Sequence, residues 1–329
     1  MSRRVAFKNI RHHLSLYWFV LPAVAFIGTF NYFPVINGLL HSFYTWNGGD
    51  VERVTGTQNF VDIFAYNPQF WKSFANVLVL GFFNILKMIP SIITAVCLHR
   101  VLSERLQFWY RVGFVVPMVV NSIVVVLLWR MFFTNGILNS LLTSTGGMNL
   151  LVWFSNACAW ISSTLHINIF FAWAGELFKP GISPNWLGTG KLAWLSVVIW
   201  GFPYVNQFGV LVYLAVLQSI GKDVYEAAEV DGVNWFSKFR YIELPLILDK
   251  VRLMMFLVLL STINDAGSMM IFFGLDGGPD GVLQVPAVFM FREAYLSQKM
   301  GMACAIGIVL VVIIFLMNKI NAWLIQPAE

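Results

Sequence analysis

Six stretches of mostly apolar residues, near 14–36, 73–98, 112–133, 192–217, 252–274 and 301–324, decide what this chain can fold into. Each is about as long as the ~20 residues a helix needs to cross the hydrocarbon core of a bilayer. In lipid every backbone N–H and C=O must be satisfied within the protein, which a single segment achieves only as a helix. The expected fold class is therefore all-α, a polytopic α-helical integral membrane protein. Of the 329 residues, 58% are hydrophobic and 11% charged, against roughly a quarter charged in soluble domains. Sixteen acidic and 21 basic side chains cannot cover a globule of this length. A disordered chain, a secreted disulfide scaffold and a nucleic-acid binder are excluded. Cys97, Cys158 and Cys304 lie far apart in apolar stretches and read as small hydrophobes, not disulfide partners or metal ligands.

Basic residues orient the spans. With six spans and a cytoplasmic N-terminus, Arg3, Arg4, Lys8, Arg11, Arg100, Arg105, Arg111, Lys222, Lys238, Arg240, Lys250, Arg252 and Lys319 face inward. Only Arg53, Lys72, Lys179, Lys191, Arg292 and Lys299 face outward. This asymmetry favours both termini in the cytoplasm. A seventh apolar stretch, 150–175, is interrupted by Asn156, Ser162, Ser163, Thr164, His166 and Asn168. If it crossed, Lys222–Arg252 would face outward, so an external, interfacial or re-entrant placement is expected. Ser2–Lys8 faintly suggests a twin-arginine signal. No small-x-small cleavage site follows, however, and the apolar run continues to Phe33, so the first span is expected to be a retained anchor.

One inner loop, 218–251, is long. Gly221 can end the preceding helix, and Asp223 stands where an N-cap would start a short helix from Val224 to Asp231. Ala227 and Ala228 keep that helix narrow enough for a groove on a partner. Asp231-Gly232 supplies a reversal. Trp235, Phe236, Phe239 and Ile242 follow at helical spacing, and Pro245 is expected to break the pattern before the fifth span. Taken alone, such a short helix reads better as an interfacial amphipathic element without a partner.

The spacing weighs against that plain reading. Glu226-Ala227-Ala228, two residues, Asp231-Gly232, nine residues, Ile242, one residue, Leu244-Pro245 resembles the EAA loop of ABC-importer permease subunits. Tyr32-Phe33-Pro34, Ser42–Gly48, Asn59-Phe60, Phe70–Asn76 and Leu214–Ile220 extend the resemblance to the carbohydrate-uptake permeases of the maltose and glycerol-3-phosphate type. Gly277-Gly278-Pro279 resembles an outer turn of the first of their two permease subunits. Two departures are residues 142–184, which look like an insertion, and Asp249, where the family often has a second proline. The resemblance implies a single transmembrane domain over 1–329, with a six-span core in a bacterial inner membrane. It further implies a second, homologous permease chain as heterodimer partner and two ATPase subunits that hold ATP and Mg. An extracytoplasmic solute-binding protein would deliver the carbohydrate.

By the same resemblance, Glu226, Ala227, Ala228, Asp231, Gly232, Ile242, Leu244 and Pro245 would couple the chain to the ATPase. The short helix would sit in a cleft of that subunit, with Glu226 free to pair with an Arg or Lys there. A bulky side chain at Ala228 would then weaken docking, and Gly232 would permit the reversal. No cofactor is expected in this chain. Gly188-Thr189-Gly190-Lys191-Leu192 only superficially resembles a phosphate loop, because Asn185 replaces its first glycine and Leu192 its Ser/Thr.

Polar residues inside spans are costly and mark candidate pathways. Ser261, Asn264, Asp265 and Ser268 recur at helical spacing in the fifth span, beside Thr262. The fourth span adds Tyr204, Asn206, Gln207 and Tyr213, and the third Asn121. Aromatic rings beside amides and hydroxyls suit a sugar, although the same residues also serve as glue between helices. Lys87, within the second span, can snorkel or pair across helices. The five histidines lack zinc-motif spacing. The function expected is carbohydrate import, with glycerol phosphate or another small polar solute as the alternative. An ion-coupled secondary transporter using Asp265 would leave the EAA spacing unexplained. A membrane enzyme would need converging carboxylates, His or Cys, which the sequence lacks.

Overall fold

The computed structural model describes residues 14–49, 51–101, 103–134, 136–165, 174–175, 177–180 and 182–324. Among them the chain is helical almost throughout, with one two-stranded antiparallel ladder. Contacts divide it into two compact units: Met1–Pro68 with Met290–Val311, and Gln69–Phe289 with Val312–Glu329.

In the first unit, helix Leu14–Ile27 continues through a π turn, Gly28–Tyr32, into helix Phe33–His41. The combined Trp18–His41 is long and apolar enough to cross a membrane, and none of it is buried in the chain. Strands Tyr44–Trp46 and Val51–Val54 follow, with Tyr44 opposite Val54. Asn59 Nδ2 donates to the carbonyls of Ser42 at 2.8 Å and Tyr44 at 3.0 Å, which ties the hairpin to the next turn. The Met300–Leu324 helix begins against the hairpin, where Gly301 leaves no room for a side chain beside the Tyr44 carbonyl.

The second unit holds two apolar clusters. In one, Met88, Ala95, Val96 and Leu98 pack on Val210, Tyr213, Leu214 and Leu217 and on Ile247 and Met254. These residues come from the helices Ile89–His99, Gln207–Gln218 and Leu244–Asn264, with Met88 just before the first of them. In the other, Val126, Phe133, Phe178, Trp186, Leu192 and Phe272 come together. The first is built from residues recurring at helical spacing, whereas the second adds Phe178 and Trp186 from non-helical segments to residues of several helices.

The three π turns among the described residues share a cause. Gly28–Tyr32, Asp62–Tyr66 and Phe239–Glu243 each end two residues before a proline: Pro34, Pro68 and Pro245. A proline removes one N–H and its ring strikes the carbonyl four residues back. A widened turn moves that carbonyl aside and lets the helical path continue. Pro245 therefore does not break the chain ahead of the fifth apolar stretch. It occupies the first turn of Leu244–Asn264.

Elsewhere, expected continuous spans are broken. Residues 112–133 divide between helices Glu104–Met118 and Ser122–Thr134, and 192–217 between Gly190–Ile199 and Gln207–Gln218. Within 252–274, Asp265 separates Leu244–Asn264 from Ala266–Phe273. Each second helix starts on a side chain that offers an oxygen to a free N–H, which competes with helix continuation. Among the described residues three helices are long and apolar enough to span: Trp18–His41, Pro68–His99 and Met300–Ile320. Gly147–Leu165, in the 142–184 insertion, is not among them. Its buried Ser155 donates to the Ala174 carbonyl at 2.8 Å, and Gly175 packs against the backbone of Ala159. His166 and Asn168 fall outside the described residues, as do Arg3, Arg4, Lys8 and Arg11.

Candidate functional site

The long loop folds into a helix, Lys222–Val230, set at 73° to the preceding Gln207–Gln218. It starts two residues earlier than expected. Gly221 is the extended N-cap residue, and Asp223 lies in the first turn, where its charge faces the helix N-terminus. The far end is a Schellman cap. Val233 N–H donates to the Ala228 carbonyl and Gly232 N–H to that of Glu229, both at 3.0 Å. Gly232 sits at φ +68°, the left-handed conformation this cap requires.

The helix has two faces. Glu226, Ala227 and Val230 are exposed, and Val230 is 88% accessible. Ala228 is 5% accessible and turned into its own chain. It is therefore Ala227, not Ala228, whose enlargement would obstruct a partner, since helix direction decides which of two adjacent alanines faces out. Asp231 is the exposed C-cap residue, its N–H donating to the Ala227 carbonyl at 3.0 Å.

The chain then returns toward the long helices. Asn234 Oδ1 accepts from Ser237 N–H at 2.8 Å and starts helix Trp235–Lys238. Lys238 Nζ lies 2.8 Å from Glu229 Oε1. That bond first, and the Lys238 charge second, hold the Glu229 carboxyl below its ordinary value. Ile242 is half-buried, Leu244 packs on the first apolar cluster, and Pro245 is exposed.

Glu243, between Ile242 and Leu244, is a functional candidate that the motif spacing does not single out. Its side chain is wholly buried and receives Arg100, with Nη2 2.7 Å from Oε2 and Nε 3.3 Å from Oε1. The Arg100 guanidinium lies 4.6 Å from the Trp235 ring centre. Tyr225, in the middle of the short helix, meets His99 Nε2 at 3.1 Å. Burial first, then the Glu243 charge, push the Tyr225 phenol up to about 12. A charged residue inside an otherwise apolar helical face (Phe239, Ile242) was the available signal.

The pathway candidates take up structural positions. Asn121 Oδ1 accepts from Ile123 N–H at 2.9 Å, and Asn206 Oδ1 from Gly209 N–H at 2.7 Å. Asp265 Oδ1 accepts from Ser268 N–H at 3.0 Å. All three start helices, the position for which short polar side chains are favoured. Ser261 and Asn264 are exposed and bond back to the carbonyls of Val258 and Leu260. Because Asp265 interrupts the helix, Ser261, Asn264, Asp265 and Ser268 do not share one unbroken face. Tyr213 is 1% accessible within the first cluster, and Gln207 is half-buried.

Tyr204, at φ +63°, donates its hydroxyl to the Val198 carbonyl at 2.8 Å. Beside it, Lys87 crosses to another helix and donates to the carbonyls of Val197 at 2.8 Å and Trp200 at 3.2 Å. It thereby caps the C-terminal end of Gly190–Ile199, where a cation is favoured. Its Nζ also lies 5.3 Å from the Tyr204 ring centre. Among the described residues no group of three or more His, Cys, Asp or Glu could hold a metal.

Residues 59–327 match the family described as binding-protein-dependent transport system inner membrane component. The chain is 25% identical over 308 residues to the probable ABC transporter permease protein YurN of Bacillus subtilis, covering 90% of this chain and 91% of that one. It is 25% identical to the arabinooligosaccharides transport system permease protein AraP of the same organism, covering 93% and 86%. It is 23% identical to the multiple sugar-binding transport system permease protein MsmF of Streptococcus mutans, covering 98% and 99%. A chain from the crystal structure of a bacterial ABC transporter that imports the acidic polysaccharide alginate superposes with a TM-score of 0.70. The identity is 21%, and 98% and 99% of the two chains are covered. A second crystal structure, of the alginate transporter in complex with its alginate pentasaccharide-bound periplasmic protein, also has a TM-score of 0.70.

Proposed function

As the chain belongs to the binding-protein-dependent transport system inner membrane components, we propose that it is the permease subunit of an ATP-driven carbohydrate importer. It sits in a bacterial cytoplasmic membrane with both termini inside. The carrying observation is the Lys222–Val230 helix, turned 73° from the helix before it and closed by Gly232 at the EAA spacing. A short helix set across the long ones presents its side, with Glu226, Ala227 and Val230, to a cytoplasmic partner. Two ATPase subunits supply that partner surface and hold the ATP and Mg, and a homologous permease completes the path. Sugar as the substrate class is supported by the transport systems to which relatives such as AraP and MsmF belong.

In this reading the nucleotide and the loaded binding protein bias one two-state equilibrium, and the short helix moves as a rigid body with the ATPase. The test is purification with its neighbours, reconstitution in vesicles, and ATPase and uptake assays against a panel of sugars with the binding protein. ATP-dependent accumulation of at least one sugar is expected. Uptake that follows an ion gradient without any ATPase subunit would overturn the proposal.

A further inference from the structure

We propose that Arg100 and Glu243, joined by Tyr225, His99 and Trp235, form a latch that fixes the coupling helix to two long helices and sets how much uptake each ATP drives. This rests on the function proposed above. The five side chains come from four places in the fold. His99 and Arg100 stand at the end of Ile89–His99, Tyr225 in the coupling helix, Trp235 at the start of the return, and Glu243 in the π turn before Leu244–Asn264. The same group of contacts therefore touches the moving element and the bases of both helices that would carry its motion onward.

The bonding is directional. Tyr225 Oη and His99 Nε2 lie 3.1 Å apart, which joins the coupling helix to the end of Ile89–His99, and the Glu243 carboxylate, which only accepts, receives Arg100. Arg100 approaches Glu243 with two nitrogens and lays its flat face over Trp235, a geometry that a lysine cannot reproduce. With Glu243 fully enclosed, neither partner can swing aside without exposing or stranding a charge. Plain stabilisation is the competing explanation. Buried ion pairs are, however, often replaced by apolar residues without loss of stability, so stability alone does not require this set of five. Orientation does, because the other contacts described for the coupling helix, the buried Ala228, its cap and the exposed Lys238–Glu229 pair, tie it to its own loop and not to the end of Ile89–His99.

The assembled transporter in vesicles provides the test, with uptake and ATP hydrolysis measured together. The Arg100→Met, Glu243→Met double variant removes both charges while filling the space, and Arg100→Lys keeps the charge but loses the fork and the stacking. Both are expected to assemble and to melt like wild type, while sugar taken up per ATP falls about tenfold, within the usual range of coupling energies. Tyr225→Phe is expected to give a smaller fall in the same direction. Wild-type uptake per ATP in the double variant or in Arg100→Lys overturns the latch. If the double variant fails to assemble, Arg100→Lys alone decides. A wild-type complex whose uptake is independent of ATP would instead overturn the proposed function.

Discussion

Substitution at Gly232 separates the backbone requirement of the loop from any contact with a partner. Its φ of +68° lies in the left-handed region, and a Cβ built there meets nothing within 4 Å. Ala at this position therefore costs only the left-handed conformation, about 1–2 kcal/mol. Asn, which tolerates that region, should cost less, and β-branched Val more. Pro fixes φ near −65° and also removes the N–H that donates to the Glu229 carbonyl at 3.0 Å, for about 3 kcal/mol or more. One kcal/mol corresponds to about a fivefold larger population with the cap open. Hydrogen exchange at the amides of 231–233 in the assembled complex should rank Gly, Asn, Ala, Val, Pro from slowest to fastest. ATP-driven uptake should fall in the same order. Val matching Asn in both measurements would refute the conformational argument, because the two differ mainly in their tolerance of positive φ.

Two further outcomes follow from the same geometry. Asp265→Asn keeps the oxygen that accepts from Ser268 N–H and should leave uptake near wild type. Asp265→Ala should lower the melting temperature through loss of about 1 kcal/mol of capping, and loss of uptake in both would point instead to the charge. For Glu229, the Lys238 bond depresses the carboxyl pKa below the ordinary 4.5. The hold it gives the loop is thus present above that value and lost as pH falls through the depressed one. Lys238→Ala should return the Glu229 titration toward 4.5, as followed by NMR of the labelled side chain; an unmoved titration would contradict the bond.

The parts of this fold legible in the sequence are those written locally. The short loop helix and its end could be read because Gly221, the charged turn and Asp231-Gly232 lie within a dozen residues of one another. The reversal needs only φ > 0 at one of them. The breaks at 200–206 and at Asp265 were hidden, since apolar composition continues on both sides. Asn206 and Asp265 start new helices, a role the sequence does not distinguish from that of a pathway residue, because an amide or carboxylate in an apolar run has the same signature in both. Which alanine faces out depends on packing against helices far away in sequence. Arg100 and Glu243 are 143 residues apart, and no local pattern pairs them. The lysine in the second apolar stretch was legible as a residue in need of partners, but not as the cap of another helix's end.

The widened turn at Phe239–Glu243 has a consequence for the chain's tolerance of change. In an ordinary helix each residue turns the path by about 100°, and a π turn holds one residue more than an α turn closes. Deleting a single residue there would restore the tighter winding and rotate everything before it, from Trp235 back through the Lys222–Val230 helix, by about 100° against Leu244–Asn264. It would also drive the Pro245 ring into a carbonyl it now avoids. Length in this stretch is thus under tighter constraint than residue identity. Conservative exchanges at Phe239 or Tyr241 should be absorbed, whereas loss or gain of one residue would point the Glu226–Val230 face away from whatever it meets.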